Sequence, residues 1–121
     1  MHIVVPLIIV SFLIFSGCTP AAAPVDSSDT TGAVIIHMPA TGFDPAKLTI
    51  KQGTKVCYVN DDPEARWPAS NIHPTHEIYS DFDSKTPVRS GDTWCFTFTK
   101  SGIWQFHDHL YSEFVGTVTV E

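Results

Sequence analysis

Six histidines stand in this chain, and four of them come in two close pairs, His73-Pro74-Thr75-His76 and His107-Asp108-His109. Imidazole nitrogen is a good ligand for borderline transition metals. Residues at i and i+2 of a strand project to the same side. On a strand, His107 and His109 therefore make a two-point chelate. An imidazole from another strand then completes a three-nitrogen site that suits Cu(II), and also Zn(II). A single His-x-His pair is common on surfaces that bind nothing; two close histidine pairs in one small domain favour a metal. His2 falls in the apolar leader, and His37, alone in a β-branched run, reads as structural.

That chelate exists only if 103–115 is extended. The window holds no internal Pro or Gly, and Ile103, Phe106, Leu110 and Phe114 also fit a helical period. A helix turns about 100° per residue and would set His107 and His109 about 200° apart. Ile103, Trp104 and Phe106 are β-formers, and Lys100-Ser101-Gly102 leads into them from a strong strand, so a strand is expected. Its neighbour, 92–99, alternates clearly: Trp94, Phe96 and Phe98 on one face, Cys95, Thr97 and Thr99 on the other. Further strands are expected over 33–38, 48–50, 55–59 and 114–120, with turns at Phe43-Asp44-Pro45 and Gln52-Gly53. Residues 60–71 and 80–91 read as long polar connections. Short strands separated by turns indicate an all-β sandwich.

The chain is 121 residues long, which suits one domain, and carries 7 Lys+Arg against 13 Asp+Glu. A net charge of −6 with no basic cluster argues against nucleic acid and against an anionic membrane surface as partners. Residues 3–15 form an apolar run too short for a membrane-spanning helix, which needs about 20 residues. The run fits the apolar core of an export signal. Ser16-Gly17-Cys18 closes it. Residues 18–32 are rich in Pro, Ala, Ser, Thr and Asp and read as a flexible tether. The expected organisation is a signal over 1–17, the tether over 18–32 and one domain over 33–121.

Phe15-Ser16-Gly17-Cys18 resembles the lipobox of bacterial lipoproteins, which implies lipid attachment at Cys18 and an envelope location. From about Phe43 to Glu121 the chain resembles the cupredoxins, the family of plastocyanin, amicyanin and the domains of multicopper oxidases. The residues that carry the resemblance are Phe43-Asp44-Pro45 with Leu48-Thr49-Ile50 and Gly53, the strand ending in Asn60, Ser90-Gly91-Asp92 with Phe96 and Phe98, Lys100-Ser101-Gly102-Ile103-Trp104, and the closing run 114–120. The resemblance implies a cupredoxin-like Greek-key β-sandwich. It also places Asp108, Tyr111 and Phe114 where blue-copper proteins carry their Cys, His and Met ligands, so the blue site lacks its thiolate. Phe106-His107-Asp108-His109 resembles the His-Cys-His run of multicopper oxidases with Asp in place of Cys. His73-Pro74-Thr75-His76 resembles their His-Pro-x-His run.

The resemblance thus implies a thiolate-free copper site of His107, His109 and His76. His73 matches the blue-copper histidine and is expected to assist or to turn toward Asp108. Asp108 is also expected at the metal site as an assisting residue; on the opposite strand face from its neighbours, it is expected either to meet His73 or to orient an imidazole. Cys57 and Cys95 lie on strands that neighbour each other in cupredoxins, and in an exported chain they suggest a disulfide. The expected role is non-enzymatic: copper handling or electron transfer outside the cytoplasm. The expected partners are a copper ion, a redox or copper-transfer protein, and the membrane through a lipid anchor only. The alternatives are a metal-free interaction module and a small copper oxidoreductase.

Overall fold

A computed structural model describes residue 17 and residues 29–121 of the chain. Apart from the exposed Gly17, the expected leader, Cys18 and residues 19–28 of the tether lie outside the described residues. The domain is built from β1 (Val34–Met38), β2 (Lys47–Ile50), β3 (Thr54–Asn60), β4 (Pro68–Ser70), a 3₁₀ turn (Glu77–Tyr79), β5 (Thr93–Phe98), β6 (Gly102–Asp108) and β7 (Val115–Val120). Two sheets face each other, ordered β1-β3-β5 and β2-β7-β6-β4. β1 runs parallel to β3 and β2 parallel to β7, while the other neighbours are antiparallel.

Alternation explains the core. Val56 and Tyr58 of β3, Phe98 of β5, Phe106 of β6 and Val118 and Val120 of β7 point between the sheets and are buried. Phe82, from the connection before β5, sits among them with no exposure. Its ring stacks on Trp94 at 6.0 Å and on Phe96 at 5.3 Å, and meets Phe98 and Phe106 edge-on. Such pairs each add about 0.5–1.5 kcal/mol beyond the area they bury. Gly116 lies opposite Phe106 in the β6–β7 ladder, and a Cβ there would come within 2.2 Å of the Phe106 ring.

Cys57 and Cys95 are register partners across β3 and β5, with Cα atoms 4.0 Å apart, and form a disulfide. The chain just before β1 makes its own contacts. Ala33 N–H donates to Thr30 O at 3.0 Å, and Lys55 Nζ donates to Asp29 O at 2.6 Å, which ties residues 29–33 to β3.

Two of the expected connections are more structured than polarity alone indicates. β4 lies inside 60–71, and 80–91 buries both Phe82 and Val88. β4 has three residues and opens with Pro68, so it shows no alternation to read. Proline at the first position of a strand on a sheet edge leaves no ladder bond broken.

Candidate metal centre

β6 runs extended through Asp108, and the β4–β6 ladder continues one step further, with His109 N–H donating to Trp67 O at 2.7 Å. Alternation then sorts four consecutive side chains. Phe106 and Asp108 point into the domain, and His107 and His109 point to the outer side of the sheet.

His73 and His76 reach the same place from a loop, not from a strand. The loop leaves β4 and folds back on itself. Asn71 N–H donates to Gln105 O at 3.1 Å, His76 N–H to Ile72 O at 2.6 Å, and Ile78 N–H to Asn71 O at 3.0 Å. His76 itself has a left-handed backbone (φ 55°, ψ 30°), which turns the chain into the 3₁₀ turn.

The four imidazoles converge so that one nitrogen from each lies within 4.8 Å of the others. Their order around the centre alternates between the two segments: His73, His107, His76, His109. Neighbouring ring centroids are 4.8–5.1 Å apart, while His73 and His76, across the centre from each other, are 6.3 Å apart. These separations are unequal, so the four ring centroids form a flattened ring. His73 Nδ1 lies 3.2 Å from His107 Nε2, and His109 Nδ1 lies 3.0 Å from His76 Nε2. Metal–nitrogen bonds of about 2.0–2.1 Å require donor nitrogens no more than about 4 Å apart. A contraction of less than about 1 Å brings this set onto a metal, so the donors fit one ion.

Neighbouring groups aim the donors. His76 Nδ1 meets Asp83 Oδ2 at 2.8 Å, and His107 Nδ1 meets Asn71 Oδ1 at 2.9 Å. Each contact places the proton on Nδ1 and turns Nε2 to the centre, the usual way an outer partner fixes a ligating histidine. Burial pushes Asp83 up, but hydrogen bonds from Trp67, His76 and the Lys85 backbone outweigh it and hold its carboxyl below the ordinary range. Burial, then the neighbouring imidazoles, pulls His107 down to about 4 and also lowers His109. Both shifts favour the neutral form that binds metal.

Asp108 is not part of this centre, which corrects its expected role as a ligand or as the partner of His73. Its Oδ2 accepts from Arg66 Nε at 2.6 Å and from Trp67 N–H at 3.1 Å, and its Oδ1 accepts from the N–H groups of Leu110 and Tyr111. Strand alternation turns it inward, toward Arg66, and away from the histidines on either side. The Arg66 guanidinium lies 4.7 Å from the Phe114 ring centroid and 5.2 Å from that of Phe43, and it donates to the carbonyls of Pro39 and Gly42. His73 joins the other imidazoles and does not turn toward Asp108. His37 pairs with Asp61 at 2.6 Å. Asn71, Trp67, Asp83 and Arg66 are the residues that sequence reasoning missed. All four sit in or beside the stretches read as polar connections, with no spacing to mark them.

No protein-family model and no curated protein matches the chain. Solved structures do. A purple cupredoxin from Nitrosopumilus maritimus matches with a TM-score of 0.64 and 27% identity, over 73% of this chain and 99% of that one. A Cu(I) form of an amicyanin variant matches with a TM-score of 0.65 and 19% identity, over 74% of this chain and 83% of that one. An oxidised amicyanin variant gives 0.63 and 18%, over 75% and 84%.

The chain has the cupredoxin fold.

Within this cupredoxin fold, the buried Arg66–Asp108 ion pair packs against Phe114 in the interior. The histidine centre lies on the other side of the same strand.

Proposed function

We propose that this domain binds one Cu(II) through His73, His76, His107 and His109 and serves copper handling outside the cytoplasm, without being an enzyme. The observation that carries the reading is the convergence of four imidazoles, one nitrogen of each within 4.8 Å of the others, with their ring centroids in a flattened ring. Tetragonal nitrogen sets suit Cu(II), whereas structural Zn(II) is tetrahedral, and copper stands above zinc in intrinsic affinity. Among the described residues, the cluster includes no cysteine thiolate to favour Cu(I). The comparison with amicyanin, solved in a Cu(I) form, supports copper as the metal of the fold. The likeness of His107-Asp108-His109 and His73-Pro74-Thr75-His76 to multicopper-oxidase runs supports a copper distinct from the blue one. Electron transfer is the second reading. The fold favours it, and an all-histidine site that reorganises between Cu(I) and Cu(II) weighs against it.

In the same proposal Cys18 carries a lipid and anchors the domain on the outer side of a cell membrane. The uncharged run ending at Ser16-Gly17-Cys18 supports it. Cys18→Ser should then release the domain to the soluble fraction, and an intact mass showing cleavage elsewhere without lipid would refute it.

Copper titration followed by absorption tests the centre. One equivalent should give a weak d–d band and no intense blue band. His107→Ala combined with His109→Ala should abolish stoichiometric binding and leave the β-sheet circular dichroism unchanged. Native affinity in that double variant would refute the assignment.

A further inference from the structure

The four imidazoles are not held alike. His107 and His76 are 2% and 5% exposed, and each is fixed through Nδ1, by Asn71 and by Asp83. His109 is fixed by its backbone bond to Trp67 O and by its ring, whose centroid lies 4.6 Å from that of the Trp67 indole. That indole is itself held, because Trp67 Nε1 donates to Asp83 Oδ1 at 2.7 Å. One carboxylate thus braces two ligands: His76 directly, and His109 through Trp67.

His73 has no such brace. It is the exposed member of the set and follows Ile72, itself 55% exposed. Among the described residues, its ring has one polar contact, Nδ1 to His107 Nε2 at 3.2 Å. Those are the two lone pairs a metal would take, so in the metal-bound protein His73 would be held by the metal alone. A ligand fixed on its far side resists dissociation, and one that is not can swing away and be replaced. Metal sites that react or exchange keep one such position open, whereas purely structural sites close all four.

We propose that the centre consists of three locked imidazoles and one displaceable one, and that copper is exchanged at His73, where an external neutral nitrogen donor such as a partner's imidazole takes its place. The inference rests on the copper reading above. Exchange conserves charge and oxidation state: one Cu–N bond breaks at His73 and one Cu–N bond forms to the incoming donor.

The test uses the purified full chain loaded with Cu(II), with free imidazole as the external donor and EDTA as the acceptor. His73→Ala should keep one Cu(II) and its circular dichroism. It should lose copper to EDTA at least tenfold faster than wild type. Millimolar imidazole should bind its copper and restore the wild-type paramagnetic resonance spectrum. His76→Ala should lose stoichiometric copper and not be rescued by imidazole. Loss of copper from His73→Ala as complete as that from His76→Ala would overturn the proposal, as would imidazole leaving its spectrum unchanged. A wild-type chain that binds no copper would instead overturn the reading beneath it.

Discussion

Arg66 donates from Nε to Oδ2 of Asp108 across 2.6 Å, with neither side chain reaching solvent. The pair joins the edge of β4 to the end of β6, and the guanidinium also ties down the carbonyls of Pro39 and Gly42. Removing one partner of such a pair leaves an uncompensated buried charge, which costs about 3–5 kcal/mol, whereas replacing both with apolar groups often costs little. Asp62 Oδ2, 3.6 Å from Arg66 Nη1, would still balance part of the charge, so Asp108→Ala should destabilise the domain by up to that amount in urea unfolding. Arg66→Met together with Asp108→Leu should recover most of the loss. A double variant as unstable as the single one would show that the carbonyl contacts, and not the charge pair, dominate.

The Cys57–Cys95 disulfide links strands of the sheet that does not carry the histidine centre. Replacing both cysteines by alanine should lower stability by about 3–4 kcal/mol, the chain-entropy value for a loop of tens of residues. Copper stoichiometry should not change. Unfolding midpoints and metal content measured on the same sample separate the two effects.

Stability of the metal-free chain should depend on pH through His107. Burial and its imidazole neighbours hold the folded pKa at about 4, below the ordinary value of 6.5 expected in the unfolded chain. Between those values the unfolded chain binds the extra proton, so stability falls as pH drops from about 6.5 toward about 4. The lowered pKa of His109 acts in the same direction. Urea midpoints at pH 7 and pH 5 should show the fall, and His107→Gln should reduce it. An unchanged pH dependence in that variant would assign the effect to other groups.

Gly116→Ala should destabilise the fold. The new methyl would lie 2.2 Å from Phe106 Cζ, and that ring is hemmed in by Phe43, Tyr58 and Phe82. Overpacking of this kind costs about 1–3 kcal/mol or more. Phe106→Leu in the same chain should relieve part of it, and thermal unfolding of the two variants gives the comparison.

Local pattern revealed most of what positions the centre. The period of two in β6 put His107 and His109 on one side and Asp108 on the other, and the same period placed Trp94, Phe96 and Phe98 toward the core. The histidine spacing marked the ligands. Tertiary partners were another matter. Arg66 meets Asp108 across 42 positions, and Asp83 meets His76 from a run that looks like any solvated turn. His73 and His76 converge with the other pair because a left-handed residue and three backbone bonds fold their loop over the sheet, and no periodicity reports such a loop. β4 is too short, and Phe82 too isolated in sequence, for a burial pattern to show.

The disulfide and the histidine centre also have an order along the chain. The disulfide spans 57 to 95, and a metal would span 73 and 76 to 107 and 109, so the ends of the two cross-links interleave. A protease that cuts the exposed connection between Ser80 and Asp92 would leave two fragments, each holding one end of both links. The nicked domain would not come apart. Freeing the pieces would take reduction and metal loss together as well as opening of the ladders that join β2 to β7, β3 to β5 and β4 to β6, so durability against proteases would depend on several failures at once.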